Sequence, residues 1–119
     1  MSKSIIKTYS SELTQVMLNI LTNAKEQFIK EKIADRKIGI ILKEDDEIYT
    51  IIITDSAGGA SENTLKNMFD MNFSTKMDDK GTGLGLHMSK IIIEDHCKGS
   101  ISAKNVDKGL EFTITLKSL

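Results

Sequence analysis

The chain has 119 residues, of which 39% are hydrophobic, so its length and composition suit one domain with its own core over residues 1–119. Lysine and arginine (16) nearly balance aspartate and glutamate (17), and this argues against attraction to nucleic acid or to an anionic membrane. The single cysteine, Cys97, excludes an intramolecular disulfide and a cysteine-based zinc site, and it fits a cytoplasmic protein.

The first predicted elements are a short strand and a long amphipathic helix. Residues 4–9 have strand composition, and from Ser11 onward the apolar residues recur at helical spacing. These apolar residues are Leu13, Val16, Met17, Ile20, Leu21, Ala24 and Phe28. Another face of the helix carries Gln15, Asn19 and Asn23, which follow one another at i, i+4 spacing. The helix therefore presents a stripe of amides where a charged surface is usual.

Two β-branched runs come next, and both are predicted to be central strands. They span residues 37–42 and 47–54 and are separated by the turn-like residues 43–46, so they predict a β-hairpin. Small residues then break the pattern, and residues 62–69 are predicted to form a short helix. Residues 71–80 are polar and irregular, which is typical of a mobile lid over a binding site.

A glycine-rich stretch, Gly81-Thr82-Gly83-Leu84-Gly85-Leu86, carries the strongest chemical signal. Glycines let backbone N–H groups approach a phosphate closely, and the helix that follows adds unpaired amides and the positive end of its dipole. The stretch lacks the Lys-Ser/Thr ending of a P-loop, and its third glycine comes one position too early for a dinucleotide fingerprint. Taken alone, it is either a phosphate-binding loop or a surface turn capped by Thr82.

The remaining elements complete the predicted fold. A helix is predicted from about residue 84 to residue 96, followed by two strands at 99–105 and 111–116 that are joined by a turn. The whole series predicts an α+β fold, a two-layer α/β sandwich with helices on one face of a mixed, mostly antiparallel sheet.

Four segments, in this order, resemble the nucleotide-binding boxes of the ATP-binding catalytic domain of sensor histidine kinases, in the superfamily that includes gyrase, Hsp90 and MutL. Residues 18–24 resemble the N box, 55–59 the G1 box, 69–76 the F box and 81–86 the G2 box. Within the F box, Ser74-Thr75-Lys76 is similar to the Thr-Thr-Lys of nitrogen-regulator-type kinases. The resemblance covers roughly residues 5–116 and implies the Bergerat-type fold with ATP and Mg²⁺ as ligands.

The resemblance also implies a role for residues in each box. Asn23 would be the Mg²⁺ ligand, while Asn19 would orient Asn23 or contact phosphate. Asp55 would recognise the adenine amine, and Gly59 would leave room for the base. Thr75 and Lys76 would lie near the γ-phosphate, with Asn19 and Lys76 as the catalytic candidates. The lid would span about residues 70–82, and the wall around the triphosphate would consist of Gly81, Thr82, Gly83, Leu84, Gly85 and Leu86.

Two positions of the G1 box depart from the pattern of the family. Ser56 replaces an asparagine, and Ala57 replaces the first glycine. A methyl group at position 57 is tolerated where φ is negative and is strained where φ is positive. The nucleotide affinity implied by the resemblance therefore depends on the backbone at Ala57.

Asn19 stands where hydrolases of this superfamily carry a glutamate that activates water. Because an amide cannot accept that proton, the resemblance implies a kinase that presents the γ-phosphate to a histidine outside this chain. The expected partners are a dimerisation and phosphoacceptor domain and a downstream response regulator. The isolated domain is expected to be a monomer in the cytoplasm. A parent kinase that contains it could be anchored to a membrane through another segment. The alternatives are a degenerate nucleotide-binding module and a serine kinase of the anti-sigma-factor type.

Overall fold

The computed structural model describes residues 10–70 and 82–117. The α-helices of this part of the chain are α1 (Ser10–Lys30), α2 (Glu62–Asn67) and α3 (Thr82–Ile91), and a π-helical turn, Ile92–His96, continues α3. Its strands are β1 (Ile38–Asp45), β2 (Ile48–Asp55), β3 (Ser100–Val106) and β4 (Gly109–Lys117). The strand predicted at residues 4–9 and the lid residues 71–81 lie outside the described residues.

Helix α1 confirms the predicted amphipathic pattern. Its inward stripe consists of Val16, Ile20, Ala24 and Phe28, which are spaced by four residues and are all at most 4% exposed. Glu12 lies in the first turn and Lys30 in the last, so each charge complements the helix dipole at its own end. Burial of this stripe fixes the rotation of α1, and with it the direction of the amide stripe.

The four described strands form one antiparallel sheet in the order β1-β2-β4-β3. Both predicted hairpins are confirmed, and β2 pairs with β4 at the centre. The turn between β1 and β2 places Asp46 and Glu47 at positive φ, 52° and 67°, which is the geometry of a tight two-residue hairpin turn. Pairing of β2 with β4 brings the end of β2 beside the turn that precedes β4, and this is where the candidate site lies.

Burial alternates along the two central strands, so one face of the sheet packs under the helices. The buried residues of this face include Ile51 and Ile53 on β2 and Phe112, Ile114 and Leu116 on β4. The prediction that β1 is also central is wrong for the described sheet, because β1 forms its edge and all eight of its residues are exposed. A hydrophobic, β-branched composition predicts a strand, but it does not specify how many neighbours that strand has.

The helix predicted through residue 96 ends in a wider turn. Cys97 N–H donates to the carbonyl oxygen of Ile92 at 2.9 Å, five residues earlier, so the last turn is π-helical rather than α-helical. This turn places Ile92, Ile93 and Cys97 together in the core. Gly99 then leads into β3, and a Cβ atom there would overlap the carbonyl oxygen of Thr115, so only glycine allows the chain to pass so close to β4.

Candidate functional site

The amide stripe of α1 faces the start of α3, so that residues of the predicted N box and G2 box come into contact. Asn19 Nδ2 donates to the carbonyl oxygen of Gly85 and to the hydroxyl of Ser89, both at 3.0 Å. The Asn19 carbonyl in turn accepts a hydrogen bond of 2.9 Å from Gln15 Nε2. Within the described residues, Asn19 is therefore bonded to α3 and to its own helix, and no hydrogen bond joins it to Asn23.

Asn23 lies one turn further along the same face of α1 and is half-buried. Within residues 10–70 and 82–117 no hydrogen bond to its side-chain amide is found. An amide oxygen on a rigid, packed helix is a suitable hard ligand for a divalent cation beside phosphates, because it adds no negative charge. The position of Asn23 is compatible with the metal-binding role that the resemblance implies.

Asp55 ends β2 and is only 6% exposed. Its Oδ1 accepts hydrogen bonds from the backbone N–H groups of Ala57 at 2.9 Å and Leu110 at 3.3 Å. These bonds hold the carboxylate in one orientation, and no donor from another described residue reaches Oδ2. A buried carboxylate oxygen is stabilised by a hydrogen-bond donor, and an exocyclic amine of a ligand is a donor of this kind.

The first two residues of β4 pack against Asp55, a contact that the sequence reasoning missed. A Cβ atom at Gly109 would overlap the carbonyl oxygen of Asp55 and lie 3.1 Å from its Oδ1. Glycine at 109 is thus required for the close approach of the two strands, and the next residue, Leu110, supplies an N–H to the carboxylate. In the sequence, Gly109 indicated only a turn, and nothing there showed that Asp55 would be its neighbour across the sheet.

The loop of the G1 box is held in place by Asn105, which lies on β3 directly opposite Leu110 of β4. Asn105 Oδ1 accepts from the Ala60 N–H at 2.8 Å, and Asn105 Nδ2 donates to the Ala60 carbonyl oxygen at 2.7 Å. Gly59 has φ +74°, and a Cβ atom there would lie 2.8 Å from Asn105 Oδ1. Gly59 is therefore required both for its backbone conformation and for the space that Asn105 occupies.

Both departures from the G1 pattern are accommodated without backbone strain. Ala57 is not among the described residues with positive φ, and its methyl group is buried in a small apolar cluster with Ala24 and Phe28. The Ser56 hydroxyl accepts from the Lys37 N–H at 2.9 Å and donates to the Asp35 carbonyl oxygen at 3.0 Å. Ser56 thereby ties the loop to the segment that precedes β1.

A cavity of about 220 Å³ opens between the end of α1 and the G1 loop. Gln27, Lys30 and Glu31 line it from α1, residues 57–61 line it from the loop, and Thr64 lines it from α2. A second cavity of about 280 Å³, between the end of α2 and α3, contains none of the predicted nucleotide-binding residues among those that line it. The first cavity is the one that adjoins the predicted site.

The G2 box begins α3 earlier than predicted. Thr82, Gly83 and Leu84 lie in the first turn of the helix, so backbone amides at its N-terminus stand where a loop was expected. Leu86 is 9% exposed and packs in the core rather than lining the cavities described above. The predicted roles of Thr75, Lys76 and Gly81 fall on residues outside the described part of the chain.

The F-box residue Phe69 packs on the body of the domain. Its ring makes an edge-to-face contact with Phe112 at 6.3 Å between centroids. A hydrogen bond of 3.1 Å joins His87 Nδ1 and the Phe69 carbonyl oxygen, so α3 holds the point at which the predicted lid begins.

Comparison with known proteins identifies the family of the chain. Residues 8–119 match the family described as "Histidine kinase-, DNA gyrase B-, and HSP90-like ATPase". The sensor histidine kinase ZraS of Salmonella typhimurium is 38% identical over 113 residues, which cover 93% of this chain and 23% of that protein. A candidate NtrY-like sensor histidine kinase of Rickettsia prowazekii is 30% identical over 112 residues, 92% of this chain and 18% of that protein.

Solved structures show the same fold. The catalytic domain of the histidine kinase ThkA, in a nucleotide-free form, superimposes with a TM-score of 0.79 and 26% identity, covering 95% of this chain and 70% of that one. The chain thus spans most of an isolated catalytic domain but less than a quarter of the length of these two sensor kinases. No helix among the described residues is long and apolar enough to cross a membrane.

Proposed function

The chain belongs to the family of histidine kinase-, DNA gyrase B- and HSP90-like ATPases, and on that premise we propose that it binds Mg²⁺-ATP and presents the γ-phosphate to a histidine on another domain. The observation that carries this proposal is the hydrogen bond between Asn19 and Gly85. These residues belong to boxes that are far apart in sequence, and their contact brings the amide stripe to the N-terminus of α3. The proposed anion-binding end of α3 and the proposed metal-binding side of α1 would thus be neighbours.

The adenine end of the proposed site would consist of the end of β2 and the start of β4. Asp55 is fixed through Oδ1 by two backbone N–H groups, and this leaves Oδ2 for the exocyclic amine of adenine. Gly59 adds no side chain beside the proposed adenine position, and Asn105 holds the loop of the G1 box against the sheet through two hydrogen bonds to Ala60. Recognition of adenine would come from this fixed hydrogen-bonding edge rather than from charge.

The phosphate end would depend on Asn23 and on the start of α3. Asn23 would supply one oxygen ligand to Mg²⁺, and when bound the cation would neutralise charge on the triphosphate. The backbone amides of Thr82, Gly83 and Leu84 would face the phosphates from the first turn of α3. Thr75 and Lys76 would approach from the lid, and Lys76 would add a positive charge near the γ-phosphate.

Transfer to a protein histidine, rather than hydrolysis, is favoured by Asn19. Both of its N–H hydrogens are donated and its carbonyl accepts from Gln15, so no basic group stands at this position to activate water. The isolated chain would therefore hold ATP with little turnover. The partners would be a dimerisation and phosphoacceptor domain and a response regulator, and the chain alone would be monomeric and act in the cytoplasm.

Calorimetric titration with nucleotide tests this function. Asp55→Asn is expected to weaken ADP binding in the presence or absence of Mg²⁺, because an amide presents the adenine amine with a competing donor. Asn23→Ala is expected to reduce only the contribution of Mg²⁺. The exposed Asp45→Asn and Asn63→Ala variants are the matched controls, and both should bind as the unmodified chain does.

A phosphotransfer assay tests the reaction itself. With labelled ATP and a phosphoacceptor domain, the chain should produce acid-labile, alkali-stable phosphate on the acceptor. Unchanged affinity in both site variants, or phosphate that is stable to acid and bound to serine, would contradict the proposed function.

A further inference from the structure

We propose that Ser89 is a positioning residue that sets the distance between the Mg²⁺-binding side of α1 and the phosphate-binding start of α3, an inference that rests on the proposed function. Together with Asn19 and Gly85 it forms an interhelical clamp. Ser89 belongs to none of the boxes that the sequence resembles, and it is not among the residues that line the cavity beside the G1 loop.

A polar side chain such as that of Ser89 is unusual in a fully buried position. Among the described residues the buried polar or charged side chains are Asp55 and Ser89, and Ser89 is the more deeply buried, at 0% exposure. A hydroxyl in such a place is unfavourable without hydrogen-bond partners, whereas alanine would suit a buried helix position. Ser89 has both partners it needs, since it donates to the Gly85 carbonyl oxygen and accepts from Asn19 Nδ2, each at 3.0 Å.

The clamp joins the two elements whose relative position matters for phosphate. Asn19 precedes Asn23 by one turn on α1, and Gly85 lies in the first turns of α3. Loss of the Ser89 hydroxyl would leave one Asn19 N–H without its partner and loosen the contact between the helices. Because phosphoryl transfer depends mainly on positioning, a small shift of α3 relative to α1 would weaken the Mg²⁺-triphosphate contacts. The adenine end, formed by β2 and the β3–β4 hairpin, would keep its geometry.

The clamp also explains why an amide is needed at position 19. The Asn19 Nδ2 group gives its two hydrogens to two different acceptors on α3. A carboxylate of the same shape has only acceptors, and it would face the Gly85 carbonyl oxygen without a proton to share. Asn19→Asp is thus a second, nearly isosteric way to open the clamp without creating a cavity.

Nucleotide affinity measured in two states separates this role from a general loss of structure. Calorimetry would compare ADP without metal, which reports the adenine end, with Mg²⁺-adenylyl imidodiphosphate, which reports both ends. Ser89→Ala is expected to weaken binding of the Mg²⁺-triphosphate analogue by about fivefold to tenfold, the scale of one lost positioning hydrogen bond, and ADP binding by less than about twofold. Asn19→Asp should show the same selectivity, and the exposed Ser102→Ala is the control.

The outcomes are distinct. Equal losses for both ligands, or no loss for either, would overturn the positioning role of Ser89 while leaving the proposed function intact, provided that Asp55→Asn still reduces ADP binding. A chain that binds neither ligand would overturn both. A selective loss in Ser89→Ala and in Asn19→Asp, with unchanged binding in Ser102→Ala, would support the clamp.

Discussion

Replacement of Gly59 by alanine should destabilise the domain through a specific collision with Asn105. Two separate costs follow from the geometry. The φ of +74° places the new residue in the left-handed region, at about 1 kcal/mol or more for a residue with a Cβ. The Cβ atom would lie 2.8 Å from Asn105 Oδ1, so the Asn105 amide must move away from Ala60.

The second cost can be derived from the bonds that Asn105 makes. Its amide forms two hydrogen bonds with the backbone of Ala60, and each is worth about 0.5–1.5 kcal/mol net. Their loss adds about 1–3 kcal/mol to the strain, so we expect Gly59→Ala to lower the free energy of unfolding by about 2–4 kcal/mol. In an Asn105→Ala background the collision no longer exists, and the same substitution should cost about 1 kcal/mol.

Urea denaturation of the four chains of this double-mutant cycle measures the coupling directly. Gly39→Ala is the control, because its site has nothing within 4 Å of the added methyl group and lies outside the positive-φ region. Effects of Gly59→Ala and Asn105→Ala that add to within about 0.5 kcal/mol would refute the proposed collision.

Two further predictions concern the core. Burial, and secondarily the charge of Glu12, raises the pKa of the Cys97 thiol, so the folded state holds this proton more tightly than the unfolded state does. Stability contributed by the thiol is therefore present below the ordinary pKa of an exposed thiol and is lost as pH rises through the higher folded value. Urea midpoints above that ordinary pKa should fall more for the unmodified chain than for Cys97→Ala, and parallel profiles would contradict this. Phe112→Ala, at 1% exposure, should cost about 3–5 kcal/mol in the same assay, whereas Ile41→Ala, at 52% exposure on β1, should cost less than about 1 kcal/mol. Similar losses for the two substitutions would show that β1 is covered in solution.

Much of the fold was predictable because local patterns specify local structure. The four-residue spacing of Val16, Ile20, Ala24 and Phe28 predicted α1, and strand-like runs separated by turn residues predicted both hairpins. The position of β1 in the sheet was not predictable, since its hydrophobic side chains match those of a central strand. The number of neighbours of a strand depends on segments that are distant in sequence.

In the candidate site, too, some features were predictable from the sequence and others were not. The types of its ligand groups could be predicted from Asn23, Asp55 and Gly59, because their chemistry and spacing resemble those of a known family. The residues that position the loop of the G1 box and the N-box helix could not be predicted. Asn105 and Ser89 gave no signal, because each acts on a partner more than 40 residues away in the chain.

The sequence by itself therefore determined the family and the order of the described elements. It also predicted which residues would contact a nucleotide. Only the tertiary structure decided that Asn19 donates its side-chain N–H groups to α3 and that Ala57 adopts an unstrained conformation in an apolar cluster. It also decided that Gly109, the first residue of β4, lies against Asp55. The physical reason is that helical periodicity, turn chemistry and motif spacing act between neighbours in sequence. Hydrogen-bond satisfaction and close packing of a buried group depend on whichever atoms the folded chain brings within a few ångströms.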